Sequence, residues 1–312
     1  MPIAIVADEF GAPDVLHPVE VPALEPRDGE VVIAVRAAGV NPSDAKRLRG
    51  EWGGSTPIRL GSEVAGVVTA VGADAVGAAG PIALGDEVIA YRVSGGFAAE
   101  VRAKAADVFP KPASLSWAAA AGLLLTGVTA FHLVEATGVG AGDTVLVHGA
   151  SGSVGLAAVQ LAKQRGARVI GTTSPQNALL VAAAGAEPVA YGFDLAYQVS
   201  ELAPGGVTVA LDTVGTEEAL DVSARLVADR RRIATINGFA KGAELGVQLL
   251  GGGPGADPGT ALRNGARLGL VELAGSGELK VHVGRAFPLA EAAAALELLA
   301  TGHPGGKLVL VP

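Results

Sequence analysis

Residues 143–166 read DTVLVHGASGSVGLAAVQLAKQRG, and three kinds of local chemistry follow one another along them. Residues 144–148 are apolar and β-branched, 149–155 are rich in glycine, and 154–165 carry apolar residues at helical spacing until Gly166 ends the run. Strand, tight turn and helix in that order leave backbone N–H groups at the helix N-terminus without intrahelical acceptors, where the helix dipole adds partial positive charge. A diphosphate is stabilised there with no basic side chain, and the turn contains neither Lys nor Arg. The spacing is Gly149-x-x-Gly152-x-x-Gly155, with Ala150 where the commonest dinucleotide fingerprint has its first glycine. Gly149, Ala150, Ser151, Gly152, Ser153, Val154 and Gly155 are therefore expected to line a dinucleotide. The alternative, glycines serving only helix–strand packing, is weakened by the strand and helix that flank the turn as the motif requires.

At 312 residues the chain exceeds one ordinary domain, and two are expected. Hydrophobic residues make up 50% and charged residues 17%, the balance of a globular protein with ample surface to bury. The formal charge of −8 repels phosphate backbones, so no nucleic-acid partner is expected. The absence of cysteine excludes disulfides, thiolate zinc sites, iron–sulfur clusters and a thiol nucleophile together. The opening MPIAIVADEF lacks a basic n-region and soon meets Asp8 and Glu9, which predicts no signal peptide and a cytoplasmic location. Residues 117–134 carry no formal charge and approach the length of a membrane span. Gly122, Thr126, Gly127, Thr129 and His132 interrupt them, so a buried helix and turn is predicted there, with no membrane segment.

Toward the N-terminus, short β-branched runs at 3–7, 30–37, 64–71 and 87–91, punctuated by Pro and Gly, predict a compact antiparallel barrel. Between them 39–46 reads as a loop entering a short helix with Ser43 or Asp44 as N-cap. From about residue 123 strands and helices alternate, which predicts a parallel sheet. Its strands fall at 144–148, 168–172, 188–191, 207–212, 232–236 and 245–250, a full dinucleotide-binding complement. Helices are expected at 154–165, 176–184, 196–202, 217–226 and 260–274, with a loop at 251–259. A strand at 279–283, a helix at 289–300 and a strand at 307–311 are expected to return to the barrel. The domains so drawn are 1–122 with 285–312, and 123–284. An apolar edge strand at 245–250 needs a cover, and pairing with its own copy across a two-fold axis predicts a homodimer.

Asn41-Pro42-Ser43-Asp44, Gly61-x-Glu63-x-Ala65-Gly66, Gly85-Asp86-x-Val88, Thr126-Gly127-x-Thr129-Ala130, the 149–155 turn, Leu211-Asp212-Thr213-Val214-Gly215 and Gly306-Lys307-Leu308-Val309-Leu310 follow in that order. Together they resemble the medium-chain dehydrogenase/reductase superfamily, and within it the zinc-free NADPH:quinone oxidoreductases. The resemblance implies an α/β protein with a GroES-like β-barrel catalytic domain and a doubly wound, parallel-sheet Rossmann domain. In the zinc-dependent alcohol dehydrogenases of the superfamily a Cys and a His hold catalytic zinc at positions that look like Asn41 and Ser62 here, and the cysteine-rich lobe for structural zinc is absent. The five histidines, His17, His132, His148, His282 and His303, include no close pair at ligand spacing, so no metal is expected. With no Lewis acid, hydride transfer from NADPH to an already electron-poor quinone or α,β-unsaturated carbonyl is the easier chemistry.

In NAD-binding sheets an Asp or Glu about twenty residues beyond the turn binds the ribose 2′-OH. Here 171–177 read GTTSPQN, with no acid to repel a 2′-phosphate. By resemblance Ser174 and Tyr191 hold that phosphate, while the family's basic residue is replaced by Asn177 or Gln176, so NADPH is expected over NADH on weaker contacts. Thr172 ends the same strand. The resemblance also places the nicotinamide in the cleft between barrel and sheet, near Asn41, Thr126 and Thr129, with Asn237 and Lys307 along the cofactor's path. Asn41, whose amide can donate to a carbonyl, Lys46 and Thr126 are the catalytic candidates. Lys46 stands where related quinone reductases often have a tyrosine, and Trp52 lies near the position of the acid of enoyl-thioester reductases, where it forms a wall and not a proton donor. Asn41, Ser174 and Tyr191 also have plainer readings as turn or strand-end residues. Two further functions stay open: an enoyl-thioester reductase, and a crystallin-like cofactor-binding protein with little catalysis.

Overall fold

The strand Glu30–Val40 is the spine of the N-terminal unit in the computed structural model, which describes residues 1–302 and 305–312. It pairs antiparallel with Glu63–Val71, Glu100–Lys104 and, at its far end, Lys307–Val311. Register shifts at Val32/Ile33 and Val35/Ala37 are bulges that bend the strand, so it serves several partners in turn. The sheet runs Val108–Pro110, Glu87–Tyr91, Glu63–Val71, Glu30–Val40, Lys307–Val311, Val283–Pro288; a smaller one holds His17–Glu20, Ile3–Ala7 and Ile58–Arg59. Ile33, Leu48, Leu60, Val64, Phe97, Leu296 and Leu308 fill the interior. The unit comprises Met1–Leu125, Leu268–Gly277 and Val281–Pro312.

The second unit, Thr126–Arg267 with Glu278–Lys280, is a doubly wound parallel sheet. Its order is Glu187–Ala190, Arg168–Thr173, Thr144–His148, Val209–Asp212, Ile233–Thr235, Gln248–Leu249, and every neighbouring pair is parallel. That is the order in which the chain reverses direction across the sheet between Thr144–His148 and Val209–Asp212, the place where such sheets bind ligands at their C-terminal edge. His148 and Asp212 are register partners at that edge. Leu146, Ile170, Val199, Leu220 and Ile233 form the core. The α/β fold expected from the sequence is the fold observed.

Three local expectations need correction. The helix Pro42–Leu48 starts earlier than expected: Asn41, not Ser43 or Asp44, is its N-cap, and Pro42 takes the first helical position, where its fixed φ suits. Asp44 is the third helical residue and reaches back to accept the Asn41 N–H at 2.9 Å. Of the strand expected at 279–283 only Val283 is strand, the first residue of Val283–Pro288. At its start the backbone is satisfied by glutamine side chains: Gln160 accepts from Lys280 N (2.8 Å) and donates to Lys280 O (3.0 Å), and Gln164 donates to Glu278 O (2.8 Å), while His282 O accepts from Lys307 N (2.8 Å) where the strand begins.

The expected edge strand 245–250 is mostly something else. Helix Phe239–Leu245 occupies its start and closes on Gly246 in the left-handed region (φ +69), leaving only Gln248–Leu249 as strand. The chain's own Asp257 then meets that edge, donating to Leu249 O and accepting from Gly251 N, both at 2.8 Å. Residues 117–134 break into helices Trp117–Ala121 and Leu124–Ala136, and among the described residues no helix is long and apolar enough to cross a membrane.

Candidate functional site

In the parallel-sheet unit, the chain leaves His148 through Gly149 in the left-handed region (φ +71), where a Cβ would stand 2.6 Å from Val214 Cγ1 and 2.7 Å from Thr213 Oγ1. Gly155, in the helix Ser153–Gln164, is tighter still: a Cβ there would lie 2.2 Å from Gly149 O. The protein's own backbone demands both glycines. Gly152, the helix N-cap at φ −72, differs: a Cβ would meet only Gly149 O, at 3.3 Å, and otherwise open space.

Thr172 fixes the turn from the next strand. Gly149 N donates to its hydroxyl (3.1 Å) and Ala150 N to its carbonyl (3.0 Å), while Gly152 N donates to Gly149 O (3.0 Å). The Ser153 and Val154 amides, as the first helical positions, have no intrahelical acceptor and face outward from the helix end. The seven predicted residues thus divide: Gly149, Ala150 and Gly155 build the turn with Thr172, Gly152, Ser153 and Val154 form the open helix end, and Ser151 is half-buried beside them.

Across the switch point a second buried group ties loops together. Asp212, wholly buried, accepts from Val214 N and Gly215 N at 3.0 Å each and from the Thr235 hydroxyl at 2.7 Å. Burial pushes its carboxyl upward, against the pull of those donors. Thr213 donates its hydroxyl to His148 O (2.7 Å), and Asn237 donates its amide to Val214 O (3.2 Å). The His148 imidazole beside it is held neutral, since burial pulls its pKa down to about 4.

Of the remaining expected residues in this unit, Ser174 is buried ahead of the turn Pro175–Asn177, and Tyr191 is half-exposed just beyond the strand Glu187–Ala190. Thr129 accepts from Arg263, a partner the sequence did not suggest. The buried hydroxyls of Thr126 and Thr173 have no hydrogen-bond partner.

The barrel unit gathers four polar residues in its interior. Lys307 and Glu63 are both about 1% exposed, and the ammonium lies 2.7 Å from Glu63 Oε1. It also donates to Asn41 Oδ1. Asn41 Nδ2 donates to Glu63 Oε1 (3.1 Å) and to Gly39 O (3.3 Å), and Glu63 Oε2 accepts from Leu125 N (2.9 Å). Both amide hydrogens of Asn41 are therefore engaged within the unit. Gly39 has no room for a side chain beside this cluster, since a Cβ would be 2.6 Å from Glu63 Oε1. Asp44 accepts from Gly61 N (3.0 Å) as well as Asn41 N; burial pushes its carboxyl up to about 6, opposed by those two amides and Lys307. Lys46 is half-buried and Trp52 more than half exposed. Glu63 and Asp212 entered the sequence reading only as parts of motifs; a charge set in an otherwise apolar strand was the available signal for both.

Residues 27–113 match the family described as Alcohol dehydrogenase GroES-like domain, and residues 184–310 the family described as Zinc-binding dehydrogenase. Over 97% of each chain the protein is 32% identical to the quinone oxidoreductase of Pseudomonas aeruginosa. The chain belongs to the medium-chain dehydrogenase/reductase superfamily, in its quinone oxidoreductase branch. It is 35% identical over 95% of its length to NorB of the Streptomyces orinoci spectinabilin polyketide synthase system, of which it spans 14%. It spans about half, 53%, of the quinone oxidoreductase of Pongo abelii. The Escherichia coli quinone oxidoreductase complexed with NADPH superposes with a TM-score of 0.85 at 27% identity, covering 99% of this chain and 100% of that one. Despite the name of one matched family, the chain has no cysteine, and among its described residues no three His, Asp or Glu side chains stand together as a metal site. His303 lies outside the described residues.

Two outcomes test the buried cluster. Lys307→Met strands the Glu63 charge and is expected to cost about 3–5 kcal/mol in urea unfolding, much of which the Glu63→Gln/Lys307→Met double variant regains. Strictly additive losses would show that the two groups do not interact. Asp44 holds its proton more tightly folded than unfolded (about 6 against 3.8), so its contribution to stability is full below about pH 4 and lost as pH rises through about 6. Asp44→Asn should flatten this fall, about 3 kcal/mol at most, in unfolding midpoints measured from pH 4 to 7.5; parallel curves for the two proteins would refute the assignment.

Proposed function

We propose that the protein binds NADPH against the 149–155 turn and reduces a quinone or an α,β-unsaturated carbonyl without a metal. The observation that carries the reading is Gly152, a glycine whose absent side chain leaves open space where two helix-terminal amides lie free. A diphosphate fits that cradle, held by Ser153 N, Val154 N and the helix dipole. Ser174, Asn177 and Tyr191 hold the 2′-phosphate, and no acid between Thr172 and Asn177 opposes it. The Escherichia coli relative with NADPH supports the same cofactor. When bound, the cofactor supplies hydride from C4 of its reduced nicotinamide.

The chain's own residues bind, orient and donate. Thr126, with a buried hydroxyl that nothing else engages, is the donor to a carbonyl oxygen of cofactor or acceptor. Asn41 is fixed by Lys307 and Glu63 and acts through its placement. Water or a weak donor such as Lys46 returns the proton to the reduced acceptor. The absence of thiolate, with Asn41 and Ser62 at the positions that resemble zinc ligands, supports metal-free reduction. The likeness to a polyketide synthase system protein favours an enoyl thioester as the second acceptor to try. Pairing of two copies through the sheet edge loses its support, because Asp257 already meets that edge, and no dimer is proposed on it.

Turnover with NADPH and 9,10-phenanthrenequinone or 1,4-benzoquinone, faster than with NADH, faster than on an enal panel and undiminished by a chelator, is expected in steady-state assays. Equal efficiency with both cofactors would end the NADPH preference, and tight binding without turnover on any acceptor would favour a non-enzymatic, crystallin-like use. Gly152→Ala should leave the melting temperature within a few degrees and weaken NADPH at least roughly tenfold in a binding titration. Gly155→Ala should instead destabilise the fold, by roughly 2 kcal/mol or more.

A further inference from the structure

Resting on the cofactor reading above, we infer that Asp212 is a positioning residue of the dinucleotide site: it holds the 213–215 loop in its ligand-ready shape without itself touching the ligand. The carboxylate sits at the C-terminal edge of Val209–Asp212, register partner of His148 across the switch point. Its Oδ1 accepts from Val214 N and Gly215 N (3.0 Å each), and its Oδ2 from the Thr235 hydroxyl (2.7 Å). That hydroxyl in turn accepts from Asn237 N (3.1 Å), whose side chain donates to Val214 O (3.2 Å). One buried anion therefore joins the loops that follow two adjacent strands. Thr213, by donating to His148 O, adds the loop after a third.

The placement of the held loop gives this a purpose. Val214 and Thr213 lie directly against Gly149, so the 213–215 segment is a wall of the turn proposed to carry the diphosphate. Gly215 is in the left-handed region (φ +74) with its backbone against Gly238, a conformation that needs an anchor. A wholly buried carboxylate is costly unless donors surround it, and Val214 N, Gly215 N and the Thr235 hydroxyl all belong to a loop or strand end at the ligand edge. A loop already ordered before binding spares the ligand the cost of ordering it.

Thr235→Val removes the hydroxyl that Asp212 accepts and keeps the side-chain shape, whereas Thr235→Ser keeps the hydroxyl. The NADPH Kd, followed by its fluorescence, is expected to rise roughly tenfold in Thr235→Val and to stay within about twofold of the parent in Thr235→Ser. At saturating NADPH, kcat should change less than about twofold, a split that general loss of structure would not give. A folded Thr235→Val protein with the parent's Kd overturns the inference. If Thr235→Val does not fold, hydrogen exchange in the unsubstituted protein decides. Val214 and Gly215 amides protected before NADPH is added are expected; amides that exchange at unfolded-chain rates until it is added overturn it. A parent protein that binds no NADPH is a distinct result, which removes the cofactor reading and this inference with it.

Discussion

The first turn of helix Ser153–Gln164 lies so close to the Gly149 carbonyl that one added methyl at residue 155 would stand 2.2 Å from that oxygen. This closeness sets the rest of the parallel-sheet unit's ligand edge. It brings the helix end up to the strand end, so the amides of Ser153 and Val154 emerge beside the switch point and not one turn further out. Gly149 beside it is in the left-handed region, its N–H donating to Thr172 and the place of a side chain already taken by Val214 and Thr213. The donors of the proposed site are backbone groups, fixed by packing, and no rotamer would have to be chosen for an anion.

Each unit holds a buried charge, and the two are used differently. In the barrel, Lys307 and Glu63 neutralise each other and close a ring through Asn41. Burying both ions costs several kcal/mol that their attraction only partly returns, so stability alone is a poor reason for the pair. What it does is fix the Asn41 amide and, through Glu63 Oε2, the Leu125 N–H at the start of the next helix. Asp212 has no counter-ion among the groups that meet it; its charge is balanced by N–H and O–H dipoles drawn from loops. A charge so balanced holds its donors in one arrangement, because losing any of them exposes the cost of the whole burial.

The sequence made some of this legible and hid the rest for physical reasons. The first five parallel strands, the helices between them and the glycine turn were readable because each depends on residues within one short window. The expected strand at 279–283 had the right alternation, but Lys280 bonds to the side chain of Gln160, more than a hundred residues earlier in the chain, and the ladder begins only at Val283. The missed helix Phe239–Leu245 depends on two glycines in left-handed conformations at its ends, which the residue type permits but does not announce. The Lys307–Glu63 pair was invisible because its two members are brought together only by the shared pairing of their strands with Glu30–Val40.

Asn41 and Thr126 were both expected to face the chemistry, and the structure separates them by what each would have to give up. A carboxamide offers two donors and an acceptor; in Asn41 the donors go to Gly39 O and Glu63 and the acceptor takes Lys307. For Asn41 to donate to a ligand, one of those buried bonds must break, and the partner left behind carries a desolvation cost of roughly 1–3 kcal/mol, more where that partner is the Glu63 charge. Thr126 has the opposite account: its hydroxyl is buried and unengaged, so the cost is already present and a ligand oxygen would relieve it. The same reasoning applies to Thr173, whose buried hydroxyl is equally alone at the end of the strand that presents Ser174. Residue type alone left the two side by side as candidates; the hydrogen bonds each side chain already makes distinguish them.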